Sequence, residues 1–173
     1  IHAFSAKDIV SPTPGLWANR QPLVLNTDSE TDVFYSVSGS DPLVSGFAYD
    51  VPVLIDIDGD VRLNLVAVDK ETGKQERFEV AYSVREREGS RQGESDVFLR
   101  EISENPVKKY ISGTVFSFPE GISYSLNDDG RLHDSDLCLS GNNILSRYVP
   151  CSLSFGDEKY HFVIHVVPAR GIE

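Results

Sequence analysis

The sequence predicts an all-β protein made of two antiparallel β-sandwich modules in tandem. Three observations support this prediction: side-chain polarity alternates with a period of two, turn sequences rich in Gly, Pro and Asp recur, and the second half repeats the rhythm of the first. Strands with one apolar face and one polar face are typical of antiparallel sheets. Turn signals at short, regular intervals are typical of sandwiches.

Alternation is clearest in three segments of the first half of the chain. In each segment every second residue is apolar, so one face of the predicted strand is suited to a core and the other to solvent. The predicted core faces are Val33, Tyr35 and Val37; Val61, Leu63, Leu65 and Ala67; and Phe78, Val80, Tyr82 and Val84.

The boundary between the modules is predicted in residues 85–96, REREGSRQGESD, which are charged and contain no apolar residue. Such a segment is typical of an exposed linker. Residues 1–84 then form the first module and residues 97–173 a second, divergent one. The repeat supports this division, because ISYSLNDDG echoes VFYSVSGSD, and LSFGDEKYHFVIHVV echoes VDKETGKQERFEVAYSV.

The turn Gly39-Ser40-Asp41-Pro42 explains why the alternating strand VFYSV ends abruptly. Gly tolerates positive φ, Asp accepts backbone hydrogen bonds, and Pro removes a donor that would extend the ladder. The turn is one of five short elements that occur in order within residues 12–84. They are Pro14-Gly15-Leu16-Trp17, Val33-Phe34-Tyr35-Ser36, Gly39-Ser40-Asp41-Pro42, Tyr49-Asp50-Val51-Pro52 and Leu65-Val66-Ala67-Val68-Asp69.

With these five elements the first module resembles the chitobiase/β-hexosaminidase C-terminal-like domain, an immunoglobulin-like module of bacteria. The resemblance implies immunoglobulin-like sandwiches and an accessory, non-catalytic role. It also implies a place in a larger cell-envelope (periplasmic or surface-exposed) or secreted bacterial protein. The second module keeps the strand-and-turn rhythm but lacks the Gly-Ser-Asp-Pro turn.

Composition excludes several classes of partner. The formal net charge is −11, and no basic patch is present to neutralise phosphates, so we expect no nucleic-acid binding and no binding to anionic membranes. The apolar runs are short, so we expect no membrane insertion by this chain. Because it begins with Ile1 rather than Met, we interpret the chain as a fragment of a longer protein.

Two acidic segments and a histidine pair resemble metal sites but lack a requirement of each. A calcium loop starting at DIDGD, residues 56–60, would need Gly where Val61 stands and Glu where Ala67 stands. We expect this segment and NDDG, residues 127–130, to be acidic hairpin turns. His161 and His165 share a strand face about 13 Å apart, too far for one metal ion. We expect both histidines to be exposed, and no metal or cofactor to bind.

One short segment of the sequence has the composition of a catalytic site, and the chain contains two cysteines. RLHDSD, residues 131–136, holds the residue types of nucleophilic catalysis, but no Gly-x-Ser-x-Gly elbow accompanies it. The combination of Cys138 with His133 is no more specific. We predict no catalytic residue. Cys138 and Cys151 are predicted either to form a disulfide between two strands or to be two buried thiols, and their spacing leaves both open.

Six aromatic residues of the first half allow two interpretations. An exposed row would form a sugar-stacking platform, whereas aromatics at strand spacing usually fill a core. We expect core packing, with Trp17 buried. The predicted function is therefore a spacer, scaffold or protein-interaction module that contacts other domains of its parent protein or an envelope protein. The alternative is a carbohydrate-binding accessory module. The six are Trp17, Phe34, Tyr35, Phe47, Tyr49 and Tyr82.

Overall fold

The computed structural model describes residues 4–37, 40–86, 93–127, 129–139 and 147–167. Two separate clusters of buried apolar side chains divide these residues into two modules, one from each half of the chain. Each module is built from two β-sheets. The predicted all-β architecture of two tandem sandwich modules is therefore confirmed.

The first module contains a five-stranded sheet in the order β2-β8-β7-β4-β5 and a three-stranded sheet in the order β1-β3-β6. Strand β2 runs parallel to β8, and the other pairs are antiparallel. A 3-10 turn, Ala6–Asp8, precedes them. The elements are β1 (Ile9–Ser11), β2 (Leu16–Trp17), β3 (Pro22–Leu25), β4 (Thr31–Ser36), α1 (Pro42–Ser45), β5 (Phe47–Ala48), β6 (Val53–Leu54), β7 (Gly59–Asp69) and β8 (Gln75–Val84).

The β7–β8 hairpin carries most of the core face predicted from alternation. Leu63 lies opposite Val80 and Leu65 opposite Phe78, and both leucines are fully buried. Full burial of each leucine contributes about 1.5–3 kcal/mol. Asp69 closes the turn, because its Oδ1 accepts the backbone N–H groups of Thr72 and Glu71 at 3.0 and 2.8 Å. These bonds lower the pKa of the Asp69 carboxyl.

Strand β4 ends before the Gly-Ser-Asp-Pro turn, as expected, and the structure describes three residues of this turn, Ser40, Asp41 and Pro42. Asp41 is the N-cap of α1, where Oδ1 accepts the N–H of Leu43 at 3.0 Å. This bond, together with the Arg77 guanidinium, lowers the pKa of Asp41. Gly46 follows the helix where a Cβ would lie 2.5 Å from two backbone oxygens, so close backbone packing requires the glycine of the Ser-Gly pair. Gly39, for which we predicted positive φ, lies outside the described residues.

The second module repeats the central sheet of the first. Its order β11-β13-β14-β9 matches β4-β7-β8-β2, with a final antiparallel hairpin flanked by a parallel strand on one side. Strands β10 and β12 form a separate pair. The elements are α2 (Glu94–Glu104), β9 (Val107–Ile111), β10 (Val115–Phe116), β11 (Ile122–Leu126), β12 (Leu137–Cys138), β13 (Arg147–Phe155) and β14 (Glu158–Val167).

Helix α2 corrects the prediction that residues 85–96 are a linker. The helix begins at Glu94, inside the predicted linker, while residues 87–92 lie outside the described residues. Leu99 and Ile102, one turn apart, are buried in the second core. This apolar spacing and the acidic first turn are helix signals that strand rhythm alone overlooks. Among the described residues, no helix combines the length and the apolarity that crossing a membrane requires.

Candidate functional site

The candidate site is the contact between the two modules, where strand β14 has both faces covered. Its even-numbered residues from Tyr160 to Val166 belong to the second core, as alternation predicts. The prediction that His161 is exposed is wrong, because its exposed fraction is 0%. The first module covers the face that alternation assigned to solvent. His165, on the same face, is half-buried and stacks on Tyr148 with ring centroids 4.7 Å apart. Burial, and then the Lys109 charge, lower its pKa.

At the same contact, the two faces of strand β3 are buried against different parts of the protein. Leu23 and Leu25 belong to the first core, whereas Val24 points outward and is fully buried. Val24 packs with Val10 of β1 and with Val163 of β14 in a small apolar cluster between the modules. The outer face of the three-stranded sheet therefore packs on the outer face of β14.

The chain after β2 completes the edge of the second module's sheet. The backbone N–H of Ala18 donates to the Lys159 carbonyl at 2.7 Å. The Asn19 side chain serves both backbone groups of His161: Oδ1 accepts its N–H at 3.0 Å, and Nδ2 donates to its carbonyl at 2.9 Å. One residue pair further along, Val163 donates to Pro106, just before β9. The first module thus continues the hydrogen-bond ladder of β14 beyond Val107, the first residue of β9.

The His161 ring is held by side chains of the first module. Its Nδ1 lies 3.0 Å from Gln21 Oε1, and the Gln21 amide nitrogen donates to the Asn19 carbonyl at 3.0 Å. The Gln21 oxygen is therefore an acceptor, so Nδ1 is the donor in this hydrogen bond. The other ring nitrogen lies 3.3 Å from Thr13 Oγ1. The Trp17 ring covers the imidazole at 5.0 Å, and its Nε1 donates to the Thr13 carbonyl at 2.8 Å.

A cleft of about 1050 Å³ opens beside this contact. Asp58 and Glu86 line it from the first module, and Asp157, Glu158 and Lys159 from the second. No group of three His, Cys, Asp or Glu side chains in the described part of the chain is arranged to hold a metal ion. The hydrogen bonds of Asn19 and Gln21 to His161 join the two modules.

The predicted acidic hairpin at residues 56–60 is wrong. The segment connects β6 of the three-stranded sheet to β7 of the five-stranded sheet, so no hairpin pairs across it. Asp56 forms an ion pair with Arg20, and Asp60 accepts the Ser83 hydroxyl at 2.6 Å. Asp56 and Asp60 thus stabilise the connection between the two sheets through their contacts with Arg20 and Ser83.

The turn at residues 127–130 is held by Asp129. Its Oδ1 accepts the N–H of Arg131 at 2.8 Å and the Ser125 hydroxyl at 3.1 Å, and the first of these bonds lowers its pKa. Asp128, the other acidic residue of the turn, lies outside the described residues.

Within RLHDSD, residues 131–136, the side chains of His133 and Asp136 contact other parts of the second module. The His133 backbone bridges that of Tyr124, and its ring lies 5.4 Å from the Tyr124 ring. The Asp136 carboxylate accepts the Ser117 hydroxyl at 2.7 Å.

The two cysteines lie in different sheets. Cys138 is exposed on β12, and its Sγ lies 3.8 Å from the Gly113 carbonyl oxygen. Cys151 is fully buried on β13, in the second core. The structure contains both as thiols, and the one on β12 is not buried. The disulfide that the spacing left open is therefore not formed in this structure.

The six aromatics do not form an exposed row. Trp17 and Tyr82 are buried, which confirms the prediction for Trp17. Phe34, Tyr35 and Tyr49 are half-buried. Phe47 alone of the six is exposed, at 63%.

The polar residues of the contact, Asn19 and Gln21, were missed by sequence reasoning. Polar residues before a strand are predicted to form a loop, and the neighbouring sequence does not indicate that a second module covers them. One signal was present: the continuous apolar run of β3, Pro22–Leu25, is typical of a strand buried on both faces.

Comparison with known proteins gives likeness only among solved structures. No family model and no curated protein matches the chain. The fibronectin(III)-like modules of Clostridium thermocellum CbhA are 11% identical over 95% of this chain and 96% of theirs, with a TM-score of 0.32. Bacteroides ovatus SGBP-B, solved in complex with mixed-linkage heptasaccharide, is 11% identical over 96% of this chain and 45% of its own, with a TM-score of 0.31.

The N-terminal four Ig domains of Dscam1 isoform 6.44 are 12% identical over 96% of this chain and 45% of theirs, with a TM-score of 0.29. The chain thus spans just under half the length of SGBP-B and of the Dscam1 fragment. The two-module architecture is shown by the sheets and the hydrophobic cores of this chain itself.

Proposed function

We propose that the chain is a non-catalytic, rigid two-module unit that serves as a scaffold or protein-interaction part of a larger bacterial envelope or secreted protein. The observation that carries this proposal is the sealed contact between the modules. Three polar side chains, those of Asn19, Gln21 and His161, are each 0% exposed there and hydrogen-bond to one another.

Rigidity follows from the cost of opening the contact. Separation would leave the Val24 and Val163 side chains in water, at roughly 25 cal/mol for each Å² of apolar surface exposed. The polar groups would exchange their mutual hydrogen bonds for bonds to water, at a net cost of only about 0.5–1.5 kcal/mol for each bond. Apolar burial therefore favours the closed arrangement, and the polar groups specify its register.

The non-catalytic role is supported by the use made of the reactive side chains. The carboxylates and histidines singled out in the sequence cap turns, pair with arginine or pack between modules, as for Asp129, Asp56 and His161. The position in an envelope or secreted protein is supported by the resemblance of residues 12–84 to the chitobiase/β-hexosaminidase C-terminal-like domain. Cell fractionation of the full-length protein would test that position.

Distance measurement by electron spin resonance tests the rigid unit. Spin labels are placed at Lys74 and Glu120, exposed turn residues of the two modules, in a Cys138→Ser background. We expect one narrow distance distribution, and a broader one when Asn19→Ala weakens the contact. A broad distribution in the unmodified contact would show two modules on a flexible tether and would refute the rigid unit.

Carbohydrate binding, the alternative from the sequence, gains no support from the predicted aromatic set. Stacking needs two or three accessible ring faces in a row, and Phe47 alone among the six is exposed. Retention on insoluble chitin, if saturable and abolished by Phe47→Ser, would favour this alternative.

A further inference from the structure

The first module carries a concentrated apolar surface in residues 43–54. Eleven large apolar side chains are exposed among the described residues, and six of them lie in residues 43–54. Contiguous exposed apolar patches on soluble proteins mark interaction sites, whereas single exposed residues are ordinary. We call this surface the β5–β6 patch. It consists of Leu43, Val44, Phe47, Val51, Val53 and Leu54.

The patch lies where the first sandwich is open at its side. Strand β5 is the edge of the five-stranded sheet and β6 the edge of the three-stranded sheet. Both residues of each strand are exposed. A groove of about 200 Å³ between the two edges is lined by Tyr35, Val37, Phe47 and Leu54. The Phe47 ring leans on Tyr35 with centroids 5.7 Å apart, so one aromatic wall is already held in place.

The chain segment that carries the patch supplies negative charge only. Residues 31–61 contain six Asp and no Lys, Arg or His. Asp32, Asp41 and Asp56 form ion pairs with Lys70, Arg77 and Arg20, which lie outside this segment. Asp50, between β5 and β6, is exposed and has no ion-pair partner within the described ranges. Asp50 therefore attracts a cation and repels a second surface like its own.

We propose that the β5–β6 patch docks a polypeptide segment in which apolar side chains alternate with Lys or Arg. Its apolar residues would fill the groove against Phe47, and its cations would face Asp50. A second copy of this chain is a poorer occupant, because it would bring a net charge of −11 and its own Asp50 against the patch. This inference goes beyond the rigid unit proposed above, since the patch and the contact between modules use different residues.

The test is fluorescence anisotropy of the intact chain with a short labelled peptide in which Lys alternates with Val or Phe. We expect saturable binding that weakens as NaCl screens the charges. Phe47→Ser should weaken binding at least about tenfold, because a central aromatic anchor carries much of an interface. Val51→Ser serves as a second variant should the first fail to fold, as judged by circular dichroism.

Matched controls separate the apolar and ionic parts. Val115→Ser, at a residue 61% exposed in the second module, should leave the affinity within about twofold. A peptide with Glu in place of Lys should not bind. The proposal is overturned by absence of saturable binding, by equal binding of the Glu peptide, or by an affinity that Phe47→Ser leaves unchanged. It is also overturned if sedimentation shows a dimer that Phe47→Ser dissociates, because the occupant is then a second copy.

Discussion

Replacing Asn19 by Ala should destabilise the chain by about 2–4 kcal/mol, because one side chain satisfies two buried backbone groups. The amide accepts the His161 N–H at 3.0 Å and donates to its carbonyl at 2.9 Å. Alanine leaves both groups without their partner, and each buried unsatisfied group costs about 1–3 kcal/mol. The cost falls below the upper sum where water enters the space that the amide leaves.

Urea unfolding followed by two signals measures this effect. Trp17, the only tryptophan, is buried against His161, so its fluorescence reports the contact between the modules. Far-UV circular dichroism reports the strands of both modules. Asn19→Ala should shift the fluorescence midpoint to lower urea at least as far as the circular dichroism midpoint, since the lost bonds lie at the contact.

The matched control is Asn26→Ala, at an exposed asparagine that follows β3. We expect it to change stability by less than about 0.5 kcal/mol. Asn19→Asp should cost more than Asn19→Ala, because it keeps an acceptor for the His161 N–H but buries a charge facing the His161 carbonyl. If Asn19→Ala costs no more than Asn26→Ala, the amide does not hold the modules together and the argument fails.

Three further predictions concern single sites. Gly46→Ala should cost about 1–3 kcal/mol, because its Cβ would lie 2.5 Å from two backbone oxygens, whereas Ser45→Ala, at an exposed neighbour, should be near neutral in thermal unfolding. Tyr82→Phe should stabilise by up to about 1 kcal/mol, because the buried hydroxyl has no hydrogen-bond partner among the described residues. Burial raises the pKa of Tyr82, so the parent loses stability above about pH 10, where the unfolded chain ionises, and the variant should lose less. Native protein should expose one reactive thiol, Cys138, with Cys151 reacting only after unfolding; no native reaction would contradict this.

Alternation predicted the faces of strands well where one module decides them. Leu63, Leu65 and Val80 are buried as their period of two requires. The rule states which residues share a face and leaves open what covers that face. His161 was therefore placed correctly beside His165 on the outer face, yet its burial depends on a segment that lies 142 residues earlier, at Asn19.

The two errors that concern single elements have different causes. Helix α2 was overlooked because its charged first turn follows a charged segment, and composition masked the apolar spacing of Leu99 and Ile102. The acidic segment at residues 56–60 was predicted to be a hairpin because Asp-Gly favours tight turns. Its flanking strands pair elsewhere, and strand partners are a property of the whole sandwich.

Because the backbone of Ala18 and the side chain of Asn19 stand in for a strand beside β14, cutting the chain between the modules affects its two halves unequally. The first half keeps every hydrogen-bonded partner of its own strands and loses the packing of Val10 and Val24 on Val163. The second half would expose an unpaired strand edge beside a bare Val163, a combination that promotes aggregation. During synthesis the first module is complete before β14 emerges, so it presents a template on which that final strand closes. We therefore expect the first module to assist the folding of its neighbour, and the second to be poorly soluble when expressed alone.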